Sequence, residues 1–425
     1  MVGGMRSLSG RSKLALSLAG NLAAKAPAIA ILLIALPKAS QTFGSATYGQ
    51  ILAVLALSAV FGFPLNGLNV TARRLIAQCD ATGDSDTEAS VFLSSCLIAL
   101  VLAAGAGVIA SWLANRLGYS DHLAILTGVL AALAFSNVFD SIRAAYNEHF
   151  VTAAIQIVIQ SLFLAALLAS DLNTLGAASV GFLLGGSMAV SSVLGAAILI
   201  LQRPRLLRGS PGHVAVLLRG ASFVAASDGA MLMILNVSVV WIGATAGSAA
   251  AAWYGTLSRL FQSLLSPALL LLFPLTSYLA SRWPIMAPSR RQATLTTFAA
   301  GSLGYGCLVA LLLSLGEHYY VGEIVGIPTW GDPLVTLTLS AAMGAFVAIK
   351  SYSLLSYSID ESRRLSIISA LIVLVGVALA LIITSPTSAL VTVGALLTVT
   401  IVTLIVLDVG IRRAEIARTA QPEIE

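Results

Sequence analysis

Apolar and polar positions alternate along the chain on one dominant scale. Twelve apolar runs of about 20 residues are separated by short polar stretches. A helix rises about 1.5 Å per residue, so each run can cross a hydrocarbon core about 30 Å thick. The pattern predicts membrane-spanning helices at 14–36, 48–72, 89–114, 122–143, 151–170 and 176–201. A second set is predicted at 221–243, 251–275, 293–315, 334–357, 365–384 and 389–407. Barrel strands are shorter and alternate inward and outward residues, which these runs do not do. The fold class expected is therefore an all-α polytopic membrane protein of about 12 transmembrane helices. The first run is expected to remain in place, because its apolar part is longer than that of a cleaved signal peptide and no small-residue cleavage site comes before the next run.

Composition agrees, with 58% hydrophobic and 10% charged residues and a mean hydropathy of +0.95. Charge adds orientation, since Lys and Arg in short loops stay on the cytoplasmic side. With the amino terminus inside, the inner gaps and tails hold eighteen cations, Arg143 among them, whereas the outer gaps hold Lys38 and Arg116. The sequence thus predicts a multi-pass membrane protein with both termini cytoplasmic. Its net charge of +5 reports topology and not a nucleic-acid partner. The expected domains are a lobe over 1–201, a basic cytoplasmic connector over 202–220, a second lobe over 221–409 and a tail over 410–425.

Several chemistries lack their residues. Cys79, Cys96 and Cys307 are too scattered for a disulfide framework, and His122, His149, His213 and His318 show no metal-ligand spacing. None of Lys13, Lys25, Lys38 and Lys350 sits in a phosphate-cradling loop, so no nucleotide motor and no cofactor is expected. The longest outer loop, 316–332, is too short for a catalytic domain. Its Glu317, His318 and Glu323 read either as an acid/base set or as solvated residues beside Tyr319, Tyr320 and Trp330 at the headgroups.

Three cations remain inside the spans: Lys25, Arg259 and Lys350. Each costs at least about 2.5 to 3.5 kcal/mol at a helix centre, so each should face protein, water or an anion. Polar residues repeat at helical spacing beside them: Ser17 and Asn21 before Lys25; Thr256, Gln262, Ser263 and Ser266 around Arg259; Ser353 and Tyr357 after Lys350. Further ladders run through Thr152, Gln156 and Gln160, and through Asn66, Asn69 and Arg73. These faces suit a shared water-filled cavity. Interhelical hydrogen bonding, ion pairing with Asp228 or Asp140, and snorkelling of Lys350 to the headgroups are the competing readings. Asp228 is the one carboxylate well inside a span, Asp140 lies with Arg143 near an inner end, and Asp408 closes the last span. The positive balance selects an anionic client, and phosphate or pyrophosphate suits Arg and Lys.

The chain also repeats itself. "TFGSATYG" (42–49) follows the first span and "TAGSAAAAWYG" (245–255) the seventh. Lys25 and Asp228 each precede the turn glycine by nineteen residues. Six spans on either side of the connector predict two parallel six-helix lobes with the site in the cleft between them.

Stretches 36–77 and 227–274 repeat a helix, a Gly-containing outer turn, Tyr-Gly, and a helix ending near Pro. In these features the chain resembles the Wzx-type polysaccharide flippases (O-antigen or exopolysaccharide) of the MOP group, which includes the MATE drug exporters and the lipid II flippase. The resemblance implies a MOP/MATE-like fold. It also implies movement of an undecaprenyl-pyrophosphate-linked oligosaccharide from the inner to the outer leaflet by alternating access, with no enzymatic step. Lys25 and Arg259 match the basic positions of such flippases. Asn66 and Asn69 stand where the lipid II branch has a basic residue, which sets that branch behind the others.

The candidate substrate-binding set is Lys25, Arg259, Lys350, Asn21, Gln262, Ser263, Gln156 and Gln160. Asp228 is the candidate for coupling to H+ or Na+. The partners expected are the lipid-linked oligosaccharide, the bilayer, and polysaccharide polymerase and assembly proteins. A MATE-like exporter of organic cations and a membrane glycan polymerase or ligase are the alternatives. The first would want acids and aromatics in the cavity, the second catalytic groups on longer outer loops.

Overall fold

The computed structural model describes residues 23, 26–62, 64–146, 149–219, 236–283, 286–330, 332–359, 371 and 385–419. Asn21, Lys25 and Asp228 lie outside the described residues, as do most of the predicted spans 221–243 and 365–384. Apolar helices occupy the described parts of the remaining spans, and the chain is an all-α polytopic membrane protein. Leu100, Val108, Leu162 and Val399 stand exposed on these helices, as a lipid-facing surface requires.

In chain order the helices are α1 (Ala26–Ala30), α2 (Leu36–Phe61), α3 (Pro64–Thr82), α4 (Ser85–Arg116), α5 (Asp121–Ala134), α6 (Asn137–Ala145), α7 (His149–Ala169), α8 (Leu172–Gly185) and α9 (Ser187–Gln202). After the connector come α10 (Ser238–Ala246), α11 (Ser248–Arg282), α12 (Pro288–Gly316), α13 (Pro333–Ile359) and α14 (Pro386–Thr419).

The breaks between spans fall at residues with backbone reasons for them. A π-helical turn, Ile31–Ala35, joins α1 to α2. Within α2 the helical path breaks at Gly44, whose φ of 70° and ψ of 166° suit a residue without Cβ. The first span therefore runs on to residue 43, past its predicted end at 36. The second begins directly after Gly44, stops at Phe61 and restarts at Pro64, because proline cannot continue a helix but fits its first turn. The fourth span is α5 plus α6, broken at Phe135–Ser136. The sixth is α8 plus α9, bent by 55°. Gly247 (φ 93°, ψ 167°) separates α10 from α11 with nearly the geometry of Gly44.

The chain divides into two compact units, Met1–Ser258 with Ile324–Ile327, and Arg259–Glu323 with Pro328–Glu425. In the first, α3, α4 and α6 enclose a core of Leu65, Leu68, Ile76, Phe92, Val138 and Ile142. Helices α4 and α5 cross at Gly107 and Gly128, where a Cβ on Gly128 would lie 2.6 Å from the Gly107 carbonyl oxygen and one on Gly107 would lie 3.2 Å from that of Gly128. Only a missing side chain lets the backbones approach so closely.

Polar contacts fasten the ends of the first unit. Lys38, assigned from sequence to an outer gap, instead lies in α2, and its Nζ donates to the carbonyls of Leu167, Leu168 and Ser170 at 2.9, 2.9 and 3.1 Å. It satisfies the last carbonyls of α7 and sits at the negative end of that helix. Buried Glu88 at the start of α4 accepts from Tyr146 at 2.5 Å and Arg205 at 3.1 Å, while the Arg203 guanidinium lies 3.6 Å above the Tyr146 ring. His213 adds a bond between its Nδ1 and the Ser90 hydroxyl at 2.8 Å, and its N–H donates to Ser94 at 3.0 Å. The basic connector is thereby tied to one end of the unit. Asp84, just before α4, accepts from the Thr87 N–H at 3.1 Å, and Thr87 holds its carboxyl below the usual value.

The second unit repeats the glycine crossing. Where α12 meets α13, a Cβ on Gly306 would lie 2.5 Å from the Gly344 carbonyl oxygen, and one on Gly344 would lie 2.4 Å from that of Gly306. The first helix of each crossing carries the same spacing, Gly105-Ala106-Gly107 and Gly304-Tyr305-Gly306. The internal repeat read at the Gly-Ser-Ala turns thus extends to the helix crossings inside each unit. The Asp408 carboxylate joins α13 to α14, accepting from the Tyr352 hydroxyl at 2.6 Å and Arg412 Nε at 2.7 Å. Tyr305 donates to the Leu264 carbonyl at 2.5 Å, joining α12 to α11.

Candidate transport site

The described candidates fall in two groups. Arg259, Gln262 and Ser263 occupy adjoining positions on α11 and are all half-buried. The Ser263 hydroxyl donates to the Arg259 carbonyl at 3.1 Å. Lys350 is half-buried on α13, and Ser353 donates to its carbonyl at 2.9 Å. Both hydroxyls therefore serve their own helix backbone, a local use that sequence spacing does not distinguish from a cavity-facing one.

Gln156 and Gln160 lie on α7 in the first unit, Gln156 half-buried and Gln160 buried at 3% exposure. Gln160 Oε1 has no hydrogen-bond partner, nor do Thr152 Oγ1 and Asn69 Oδ1. Buried oxygens without donors are costly by about 1–3 kcal/mol each, so these three positions are suited to water or a hydroxyl-bearing ligand. On α3 and α7, Asn69, Thr152 and Gln160 thus each carry a buried oxygen open to a further hydrogen bond.

Two residues take places other than those the sequence indicated. Arg143, grouped with the solvated inner cations, is fully buried. Its Nε and Nη2 donate to the Gly195 carbonyl at 3.2 and 3.0 Å. One turn earlier on α6, Asp140 accepts from the Ser192 hydroxyl at 2.5 Å, and Asn137 Oδ1 lies 2.9 Å from the same hydroxyl. Asn137, Asp140 and Arg143 recur every three residues, so their shared helix face was legible; Ser192 and Gly195 were not, because nothing local links α9 to α6. Thr256, placed with the wet stripe around Arg259, is fully buried against α2, 3.2 Å from the Tyr48 hydroxyl.

That last contact belongs to a larger one. Gly49 meets the start of α11 so closely that a Cβ there would fall 1.8 Å from the Ser248 carbonyl oxygen. A Cβ on Gly255 would lie 3.0 Å from Leu52 Cβ. Beside the contact lies a cavity of about 200 Å³, with Gly49, Gln50, Tyr119, Gly243, Ala244 and Ser248 in its wall. The expected outer loop 316–332 instead begins with a π-helical segment, Glu317–Ile324, in which His318 lies 3.7 Å from Glu323, both largely exposed, while Glu317 and Tyr320 are buried. No metal-binding group of His, Cys, Asp and Glu occurs among the described residues.

No protein-family model matches the chain, and no curated protein matches its sequence. Solved structures do match. The chain is similar to a multidrug-resistance MATE family transporter of the MOP superfamily, solved in an inward-facing conformation, with 16% identity over 98% of both chains and a TM-score of 0.66. It is also similar to a mutant form of the Vibrio cholerae MATE transporter VcmN, with 14% identity over 96% of this chain and 97% of that one and a TM-score of 0.63. The eukaryotic MATE transporter AtDTX14 matches with 13% identity over 96% and 98% and a TM-score of 0.60. The chain thus shares the fold of MATE transporters along nearly its whole length.

Proposed function

We propose that the protein is a secondary transporter that flips an undecaprenyl-pyrophosphate-linked oligosaccharide from the cytoplasmic to the outer leaflet by alternating access, for surface polysaccharide synthesis. It sits in the bacterial inner membrane with both termini cytoplasmic. Two six-helix lobes, 1–201 and 221–409, move against each other about the cavity. Arg259 and Lys25 bind the pyrophosphate, assisted by Lys350. Asn21, Gln262, Ser263, Gln156 and Gln160 hold the sugars and their water. Asp228 couples the cycle to H+ or Na+, and a polymerase and assembly proteins receive the glycan.

The observation that carries this reading is the charge inside the spans. Lys25, Arg259 and Lys350 stand against one carboxylate well inside a span, Asp228, while Asp140 and Arg143 lie together on α6 in the first unit. A cationic surplus at membrane depth is costly unless an anion visits it. The donor-poor oxygens of Thr152, Gln160 and Asn69 add sites for sugar hydroxyls.

A second reading, export of organic cations, is favoured by the fold shared with the MATE transporters above. The charge surplus opposes it. The test replaces Lys25 and Arg259 by Ala, singly and together, with membrane expression confirmed. A charge-assisted contact contributes about 1.5–3 kcal/mol, so each single variant is expected to lower glycan export about 10- to 100-fold when the step is limiting. Undiminished surface glycan in all three variants would rule out the assignment.

A further inference from the structure

We propose that the contact of Tyr48 and Gly49 with Ser248, Gly255 and Thr256 is the outer gate of the translocation path, a seal that parts once in each transport cycle. The side assigned to it rests on the orientation and alternating access proposed above; the contact itself lies wholly inside the first unit.

The gate is made twice from the same sequence device. A glycine of positive φ, Gly44 or Gly247, opens each copy and is followed by Ser-Ala. A Tyr-Gly pair then sits on the helix that follows, Tyr48-Gly49 on α2 and Tyr254-Gly255 on α11. The two copies pack against each other. Gly49 receives the Ser248 carbonyl and Gly255 receives Leu52. Tyr48, Trp253, Tyr254 and Thr256 are fully buried, so the seal excludes water at this level.

Two features distinguish this contact from a permanent core. Its small residues are shared with the fixed glycine crossings, but it adds the Tyr48–Thr256 hydrogen bond, whose hydroxyls can turn to water when the helices part. Permanent interiors fill their volume with interlocking side chains. Here the Gly49 and Ser248 positions border a partly open pocket of about 200 Å³ walled also by Leu117, Gly118 and Tyr119. A surface that closes tightly beside an unfilled space can separate without leaving interlocked side chains behind.

The test uses the full-length protein with Cys79, Cys96 and Cys307 replaced by Ser. Leu52→Cys with Gly255→Cys places two Cβ atoms about 3.0 Å apart, slightly closer than the usual disulfide range of about 3.5–4.5 Å, so a small relaxation suffices for bonding. Oxidation in membranes is expected to cross-link the pair and abolish glycan export, and reduction should restore it. A pair that fails to cross-link in well-expressed protein, or a cross-linked protein that exports at the reduced rate, would overturn the gate.

A second arm needs no cargo. In a Ser248→Cys background, labelling by a membrane-impermeant maleimide added outside is followed with and without Tyr48→Phe. Losing the Tyr48–Thr256 hydrogen bond in the closed state should raise the labelling rate at least about five-fold. An unchanged rate would contradict the seal. Should the wild type export no glycan, the cargo assignment fails while this arm still reads the gate.

Discussion

The two units build the same helix crossing and keep their charge differently. Gly107 on Gly128 in the first and Gly306 on Gly344 in the second bring neighbouring helices to backbone contact. Around that shared scaffold, the first unit neutralises its charge internally. Arg143 donates to Gly195 with Asp140 one turn away, Glu88 takes Tyr146 and Arg205, and Lys38 caps α7. The second unit places Arg259 and Lys350 half-buried on two membrane helices, and ties Asp408 to Arg412 and Tyr352. The two units thus share a glycine crossing while their cations differ in setting, Arg143 fully buried against α9 and Arg259 and Lys350 half-buried on α11 and α13.

The most severe way to test this contrast is to exchange the two kinds of cation. Arg143→Ala removes a fully buried guanidinium and leaves half-buried Asp140 without it, and is expected to cost about 3–5 kcal/mol in unfolding measurements. Arg259→Ala is expected to lower transport with little loss of folded protein. Equal losses of stability in the two variants would erase the contrast. Asp140→Asn combined with Arg143→Ala should recover part of the stability, since the uncompensated charge is then gone.

The glycine crossings give the next effect. Gly344→Ala brings a Cβ to 2.4 Å from a backbone oxygen and 2.8 Å from Ala310 Cβ, so α12 and α13 must separate. A loss of about 1–3 kcal/mol is expected, read as the fraction of monodisperse protein after heating. Gly107→Ala meets its neighbours at 3.2 and 3.3 Å and should cost less. A larger loss at 107 than at 344 would reverse the ranking that the geometry imposes.

The smallest effect is at a helix end. Lys38→Ala removes three charge-assisted bonds to the last carbonyls of α7, where water can replace them in part. About 0.3–1 kcal/mol is expected, detectable as faster hydrogen exchange at Leu167–Ser170.

The spans were legible because burying about 20 apolar residues in lipid leaves the chain one economical conformation. Their ends were less so. The runs blur through Gly44 and through Phe61–Pro64, where backbone geometry sets the break and hydropathy barely changes. Gly44 and Gly247 could be read from their matching turns, but the Gly107–Gly128 and Gly306–Gly344 crossings could not, because packing partners are remote in sequence. For the site, periodicity found the ladders on α3, α7 and α11, and the structure adds which of their oxygens lack donors. Thr256 joined the gate because its neighbour Tyr48 lies 208 residues away. Arg143 looked like a loop cation because hydropathy alone does not reveal that α9 covers its face of α6.

The central claim is that the cargo is an anionic lipid-linked glycan. Its most direct test reconstitutes the purified protein in liposomes carrying an undecaprenyl-pyrophosphate oligosaccharide, and follows glycan appearing on the opposite leaflet beside uptake of ethidium. Glycan transfer that falls at least about tenfold with Arg259→Ala, with no ethidium transport, is the predicted result. Ethidium transport without glycan transfer would contradict the claim.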